Sequence, residues 1–357
     1  MSFYSNERIL HTMDRDGNPP ELIFCVSRGR SVGKTFAWTK TFYERWVNSG
    51  YKDKFVLFCR NKYELGSVAE GMFKSMLDFC YSGTRLFEKI QMKGVYSNIY
   101  CETSIDGEEA KPLHCGYVIP LNSSDNIKRV SSMFSDSVWA FFDEMQPEDK
   151  NSWLPNEVEK FLSIITSIAR GDGQSRRFYQ TIMCSNCINI TNPYFVAIEG
   201  GLHKKLQQNT KLYRGSGFVY ERCENKEVAE EHKETGIAKA FSNERYVQFD
   251  DNSFLNDNYA CIGKPDNWGR SHYICTLISG KNRYAVKYYP QVKLYYVDYK
   301  VDKTCNQIFN IRFDNMEPNI PLIRGTLTMI KLREAMEHGL VRFKDLTCKD
   351  VCMDLFL

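Results

Sequence analysis

The stretch Ser27-Arg28-Gly29-Arg30-Ser31-Val32-Gly33-Lys34-Thr35 joins an apolar run to a helical pattern, and it is the most chemically specific segment of the chain. Backbone N–H groups of such a turn, with the first turn of the helix behind it, cradle a phosphate. Lys34 then reaches the β/γ oxygens and the Thr35 hydroxyl ligates Mg²⁺. Against the GxxxxGK[ST] phosphate-loop pattern, Arg28 stands at the first glycine and Gly29 comes one place late. A bare Gly-Lys-Thr also caps ordinary helices; the apolar strand ahead of this one favours phosphate. Arg28, Gly29, Arg30, Ser31, Val32, Gly33, Lys34 and Thr35 are therefore the candidate nucleotide-binding residues, with ATP and Mg²⁺ as the expected cofactors.

A second apolar run, Val138-Trp139-Ala140-Phe141-Phe142, ends in Asp143-Glu144. Phosphoryl transfer needs placement of metal and nucleophile more than covalent chemistry, so Asp143 is the candidate metal ligand and Glu144 the base that orients and deprotonates water. Alone, such a strand end is often just solvated; the upstream loop makes the pair informative. A third run, Thr181-Ile182-Met183-Cys184, ends in Ser185-Asn186. Asn186 or Ser185 is the candidate sensor of the γ-phosphate or the water, against a plain turn signal carrying the same letters. Arg170 closes the helical pattern after the acids. A cation there complements the helix dipole, or it is an arginine finger offered to a neighbouring subunit's nucleotide. Lys62, Lys128 and Arg129 are further cations for phosphate, DNA or trans contacts, although most lone surface cations are merely solvated.

The elements that must position these groups follow from periodicity. Short apolar runs at 22–26, 55–59, 138–142 and 178–184 suit strands buried on both faces of a parallel sheet. Helical patterns at 35–48 and 64–81 stop at Gly50 and at Ser82-Gly83. A further helix opens at Pro155 and carries Val158, Phe161, Leu162, Ile165 and Ile168 on one face before Gly171 and Gly173. Alternating strands and helices mean an α/β domain. After about Phe195 the character changes: residues 203–252 are polar and mixed in charge and look like a connector, with Glu224 to Glu234 reading as a solvated helix or linker. From Trp268 onward, β-rich runs at 272–278, 284–289 and 293–299 read as an antiparallel meander, followed by helices at 329–340 and 349–357. The expected division is a motor domain over 1–225, a linker over 226–266 and a C-terminal domain over 267–357.

Composition narrows the class. Hydrophobic residues make up 43% and charged residues 25% of 357, an ordinary globular balance. A polar N-terminus and no apolar run of about 18 residues point to a soluble intracellular protein. Thirteen scattered cysteines suit free buried thiols in a reducing compartment. The spacing of Cys184 and Cys187 lacks the second pair a zinc site needs. A net charge of +3 leaves nucleic-acid contact to local patches.

In order along the chain come the phosphate loop, Phe142-Asp143-Glu144, Leu154-Pro155-Asn156-Glu157-Val158, Cys184-Ser185-Asn186 with Asn192-Pro193-Tyr194-Phe195, and Leu332-Arg333 through Gly339-Leu340-Val341-Arg342-Phe343. With these segments the chain resembles the phi29-like encapsidation ATPases, a small terminase-like motor family. The resemblance implies an ASCE-type P-loop NTPase domain and a smaller, vestigial RNase H-like α+β domain. It implies a ring, typically a homopentamer, that threads double-stranded DNA into a phage prohead. Its partners would be DNA, other copies of itself, the portal or connector and a structural RNA, with no membrane. It would work in the host cytoplasm, transiently at the portal vertex. The roles implied by position are Lys34 and Thr35 on phosphate and Mg²⁺, Asp143 on metal, Glu144 as base and Arg170 as trans-acting finger. A working nuclease of RNase H type needs a carboxylate in its first strand, and His272-Tyr273-Ile274-Cys275-Thr276-Leu277 has none; Asp298 and Asp302 stand alone. The competing readings are a terminase-type motor with active nuclease, a static nucleotide-binding assembly factor and a helicase-like translocase on single strands.

Overall fold

The structure is a computed structural model, and it describes residues 4–28, 32–105, 108–109, 111–147, 152–170, 176–198, 201–206, 210–224, 235–240, 261–280, 282–311, 313 and 316–353. The chain divides into two compact units, Met1–Asn256 and Asp257–Leu357. That division falls within the segment expected as a linker, most of which lies outside the described residues. No described helix is long and apolar enough to cross a membrane.

The first unit is built on one ten-stranded sheet. Its strands are β1 (Leu22–Arg28), β2 (Lys54–Cys59), β3 (Thr84–Gln91), β4 (Tyr96–Ile105), β5 (Glu108–Glu109), β6 (Leu113–Pro120), β7 (Ser137–Phe142), β8 (Gln180–Asn186), β9 (Leu212–Arg214) and β10 (Phe218–Glu224). They lie in the order β3-β4-β6-β2-β7-β8-β1-β10-β9, with β5 on β4. From β6 to β10 every pairing is parallel. This is where the continuous apolar runs sit, as burial on both faces requires. The antiparallel edges β3-β4-β6 and β9-β10 were not foreseen. Half-buried β3, with Arg85, Glu88 and Lys89 among its residues, lacks a long apolar run, which suits an edge strand.

Helix α1 (Lys34–Asn48) is amphipathic, burying Lys34, Trp38, Phe42 and Trp46 at four-residue intervals. Phe42 stacks on Trp139 of β7 at 3.8 Å between ring centres and also meets Phe55 and Phe141. This packing presses the helix against the sheet and so fixes where Lys34 and Thr35 emerge. Helix α2 (Val68–Cys80) is shorter than its pattern suggested, with a separate 3-10 turn at Lys62–Glu64 ahead of it. Helix α3 (Glu157–Ala169) forms as expected but turns a different face inward. Phe161, Ile164 and Ile168 are buried with Glu157, while Leu162 is exposed. The true seam steps by three and four residues from Glu157, and the acid that begins it carries no hydrophobic signal.

In the second unit β11 (His272–Ser279), β12 (Asn282–Tyr289) and β13 (Leu294–Asp298) form the expected antiparallel meander. Parallel strands β14 (Ile308–Asn310) and β15 (Val341–Phe343) flank it. Helices α4 (Leu327–Glu337) and α5 (Leu346–Met353) complete the unit, whose core includes Leu277, Tyr284, Val286, Val297, Leu332 and Cys348. Tyr284 and Tyr296 are buried and pack within the sheet.

Candidate active site

Strand β8 lies between β1 and β7. Two strand spacings therefore separate the phosphate-loop strand from the acid-bearing strand, roughly 10 Å. The side chains of Lys34, Thr35 and Asp143 close that gap at the C-terminal edge of the sheet, where α/β folds bind ligands. Gly33 has φ 94°, a left-handed conformation that only glycine adopts cheaply, and it turns the chain into α1. Buried Lys34 donates to Ser27 Oγ and to Asn186 Oδ1, the latter at 3.3 Å. Ser27 Oγ donates to the same Asn186 Oδ1 at 3.0 Å. The Thr35 hydroxyl donates to Asp143 Oδ2 at 2.6 Å, while Asp143 Oδ1 accepts the Glu144 N–H at 3.0 Å. Thr35 and Asp143 thus stand as an adjacent hydroxyl and carboxylate, a donor set suited to Mg²⁺.

Glu144 is exposed and has φ 52°, unusual for a residue with a side chain. Strain of this kind persists where the surroundings over-determine it, often at functional sites. Of the two candidate sensors, Asn186 is the one beside Lys34. It pairs with Ser27 in the β1/β8 register and shares its face. Ser185 alternates to the other face and accepts from Gln146 Nε2 at 3.1 Å. Of the phosphate-loop candidates, Val32 is buried, whereas the side chain of Arg28 and residues Gly29, Arg30 and Ser31 lie outside the described residues.

Arg170 caps the C-terminal end of α3 and is exposed. Gly171 and Gly173 lie outside the described residues. The end of that helix is already served by another cation: Arg177 donates from Nη2 to Ile168 O at 3.2 Å, and its backbone N–H reaches Ala169 O at 2.9 Å. Lys128 is engaged with Asp125 in an exposed pair. In the second unit, buried Asp298 accepts Lys287 Nζ at 2.9 and 2.7 Å, and Asp302 turns back on Thr304. Sequence reading did not single out Ser27, Arg60 or Arg177, nor Glu157 as a buried acid. Arg60 alone left a signal, as the charged residue immediately following an apolar strand.

Burial raises the Asp143 carboxyl above its ordinary value of 3.8, against the pull of Thr35 and then Lys34. Its ionised form therefore costs the folded state. That penalty is fully present above the raised folded value and fades as pH falls through it. We expect Asp143→Asn to raise the melting temperature of nucleotide-free protein at pH 7 while abolishing Mg-ATP turnover, the usual conflict between stability and a poised site. Calorimetry between pH 4 and pH 7, a window set on either side of the raised carboxyl, checks it. A gain that did not shrink toward acid would contradict the origin in charge burial.

The family described as Podovirus DNA encapsidation protein (Gp16) matches residues 2–357. A protein of Bacillus phage B103 named DNA packaging protein is 24% identical over 336 residues, covering 93% of this chain and 95% of that one. The DNA packaging protein of Bacillus phage phi29 is 22% identical over 359 residues, covering 99% and 97%. Among solved structures, the bacteriophage phi29 viral genome packaging motor assembly aligns with TM-score 0.65 at 21% identity, over 99% of this chain and 98% of that chain. The Phi-28 gp11 DNA packaging motor aligns with TM-score 0.54 at 17% identity over the same shares. These structural likenesses show a common fold. With a match spanning nearly its whole length, this chain belongs to the podovirus DNA encapsidation protein family.

Proposed function

We propose that this chain is the ATP-hydrolysing subunit of a ring-shaped motor that drives double-stranded viral DNA into a preformed prohead. One observation carries the reading: the Thr35 hydroxyl and the Asp143 carboxylate meet at 2.6 Å while Lys34 reaches Asn186 beside them. Three separate strand ends thus bring together a metal pair, a phosphate cation and a sensor. Lys34 and the loop from Arg28 to Thr35 hold the phosphates, and Thr35 and Asp143 hold Mg²⁺. Glu144 orients the attacking water and takes its proton. When bound, the metal neutralises charge developing on the phosphoryl oxygens.

Arg170 completes the site of the neighbouring copy. Its exposure supports this, as does Arg177, which already caps the helix end that Arg170 would otherwise serve. The ring is a homopentamer seated on the portal, with a structural RNA as a further partner. No nuclease belongs to this reading, because Lys287 holds Asp298 and β11 contains no acid.

The test is ATP hydrolysis by purified protein with and without proheads and linear double-stranded DNA, alongside incubation with Mn²⁺ and supercoiled plasmid. DNA should stimulate turnover with little sequence preference, the stimulation should weaken steeply with salt, and the plasmid should remain intact. Hydrolysis indifferent to DNA and proheads would overturn the motor; nicking would revive the nuclease.

A further inference from the structure

Arg60 is the first residue after β2 and touches neither Lys34, Thr35 nor Asp143 in any hydrogen bond among the described residues, yet each of its three guanidinium nitrogens donates a hydrogen bond. Nε donates to Glu157 Oε2 at 3.1 Å, Nη1 to the Glu144 carbonyl at 2.8 Å, and Nη2 to the Met145 carbonyl. The Phe142 and Trp153 rings lie 5.1 and 5.2 Å from its central carbon. Its partner Glu157, the first residue of α3, is 1% exposed against 11% for Arg60. Glu157 Oε2 also accepts the Leu154 N–H at 3.0 Å, and Oε1 accepts the Tyr194 hydroxyl at 3.2 Å. Burial, then the Glu157 charge, pushes the Tyr194 hydroxyl well above its ordinary range, so it stays a proton donor.

The geometry points to Arg60 and Glu157 as a positioning pair that couples the hydrolytic loop of one subunit to the finger the same subunit offers its neighbour. This rests on the roles of Glu144 and Arg170 stated above. One guanidinium grips both the backbone of the residue carrying the water-activating carboxylate and the start of a helix. That helix has 13 residues, runs about 20 Å as a stiff rod and ends at Arg170. Movement of the Glu144 backbone, when the γ-phosphate leaves, pulls on the carbonyls Arg60 holds and through Glu157 on the near end of the rod. A buried pair suits this work because separating two desolvated charges is strongly unfavourable. The link therefore transmits displacement instead of absorbing it. Arginine is required for the geometry, since a lysine ammonium on its flexible stem cannot hold one carboxylate and two carbonyls in a single plane.

The experiment uses assembled motors doped with increasing fractions of Glu144→Gln subunits. In a coordinated wild-type ring, activity falls more steeply than the dopant fraction. Rings whose active subunits carry Glu157→Gln, or Arg60→Lys, should bind ATP with unchanged affinity, lose about 10²-fold in kcat, the scale of a small misplacement of reacting groups, and show a dopant response that falls in simple proportion. A steep wild-type curve with equally steep variant curves, or variants with wild-type kcat, would overturn the coupling. A proportional curve for wild type itself would instead sink the coordinated-ring reading beneath it. Should both variants fail to fold, the pair is a stability element and the proposal falls.

Discussion

Lys34→Ala and Glu144→Gln should each reduce ATP turnover by about 10³-fold or more, within the range lost with a phosphate-binding cation or a catalytic base, but they should part on binding. Lys34 is buried and aimed at Ser27 and Asn186, and in the role proposed for it its loss removes a charge that meets the phosphates in the ground state. The ATP dissociation constant should rise with it. Glu144 is exposed at the strand end, and only its carboxylate is exchanged for an amide of the same shape. That removes a group needed chiefly in the transition state, so nucleotide should stay bound and unhydrolysed. Fluorescent-nucleotide titration beside single-turnover hydrolysis separates the two. Equal loss of affinity in both variants would remove the role assignment.

Arg170→Ala should bind ATP normally and hydrolyse it about 10³-fold or more slowly in the assembled state, the scale measured for arginine fingers. Mixing should then restore activity. Where an Arg170→Ala subunit, with its intact Glu144, faces a Glu144→Gln subunit that still offers Arg170, one complete site forms in a ring of two inactive proteins. A helix-capping role forecasts something else: a stability loss of about 0.3–1 kcal/mol and untouched catalysis. Arg177 makes even that loss small, because it already engages the Ile168 and Ala169 carbonyls. Wild-type turnover by Arg170→Ala in the presence of DNA and proheads would return the residue to the surface.

The candidate site groups were legible because each belongs to a contiguous local pattern. The phosphate loop follows a buried strand, two acids end another, and a Ser-Asn pair ends a third. Parallel strands buried on both faces announce themselves as apolar runs, so β1, β2, β7 and β8 were legible too, whereas β6 and β10, which extend the parallel stretch on either side, were not. What sat outside local periodicity was not. Strands β3 and β4 form an edge hairpin and lack long apolar runs. That Asn186, not Ser185, faces Ser27 and Lys34 follows only from the β1/β8 register. Arg60 and Glu157 are 97 positions apart, and neither letter has a periodicity that reveals its partner. Arg177 and the end of α3, or Lys287 and Asp298, are likewise matched only once the chain is folded. Local sequence determined which groups are candidates for the proposed phosphoryl transfer; strand order and register decided which meet, because the hydrogen bonds and buried charges that hold them are satisfied only by partners brought from elsewhere in the chain.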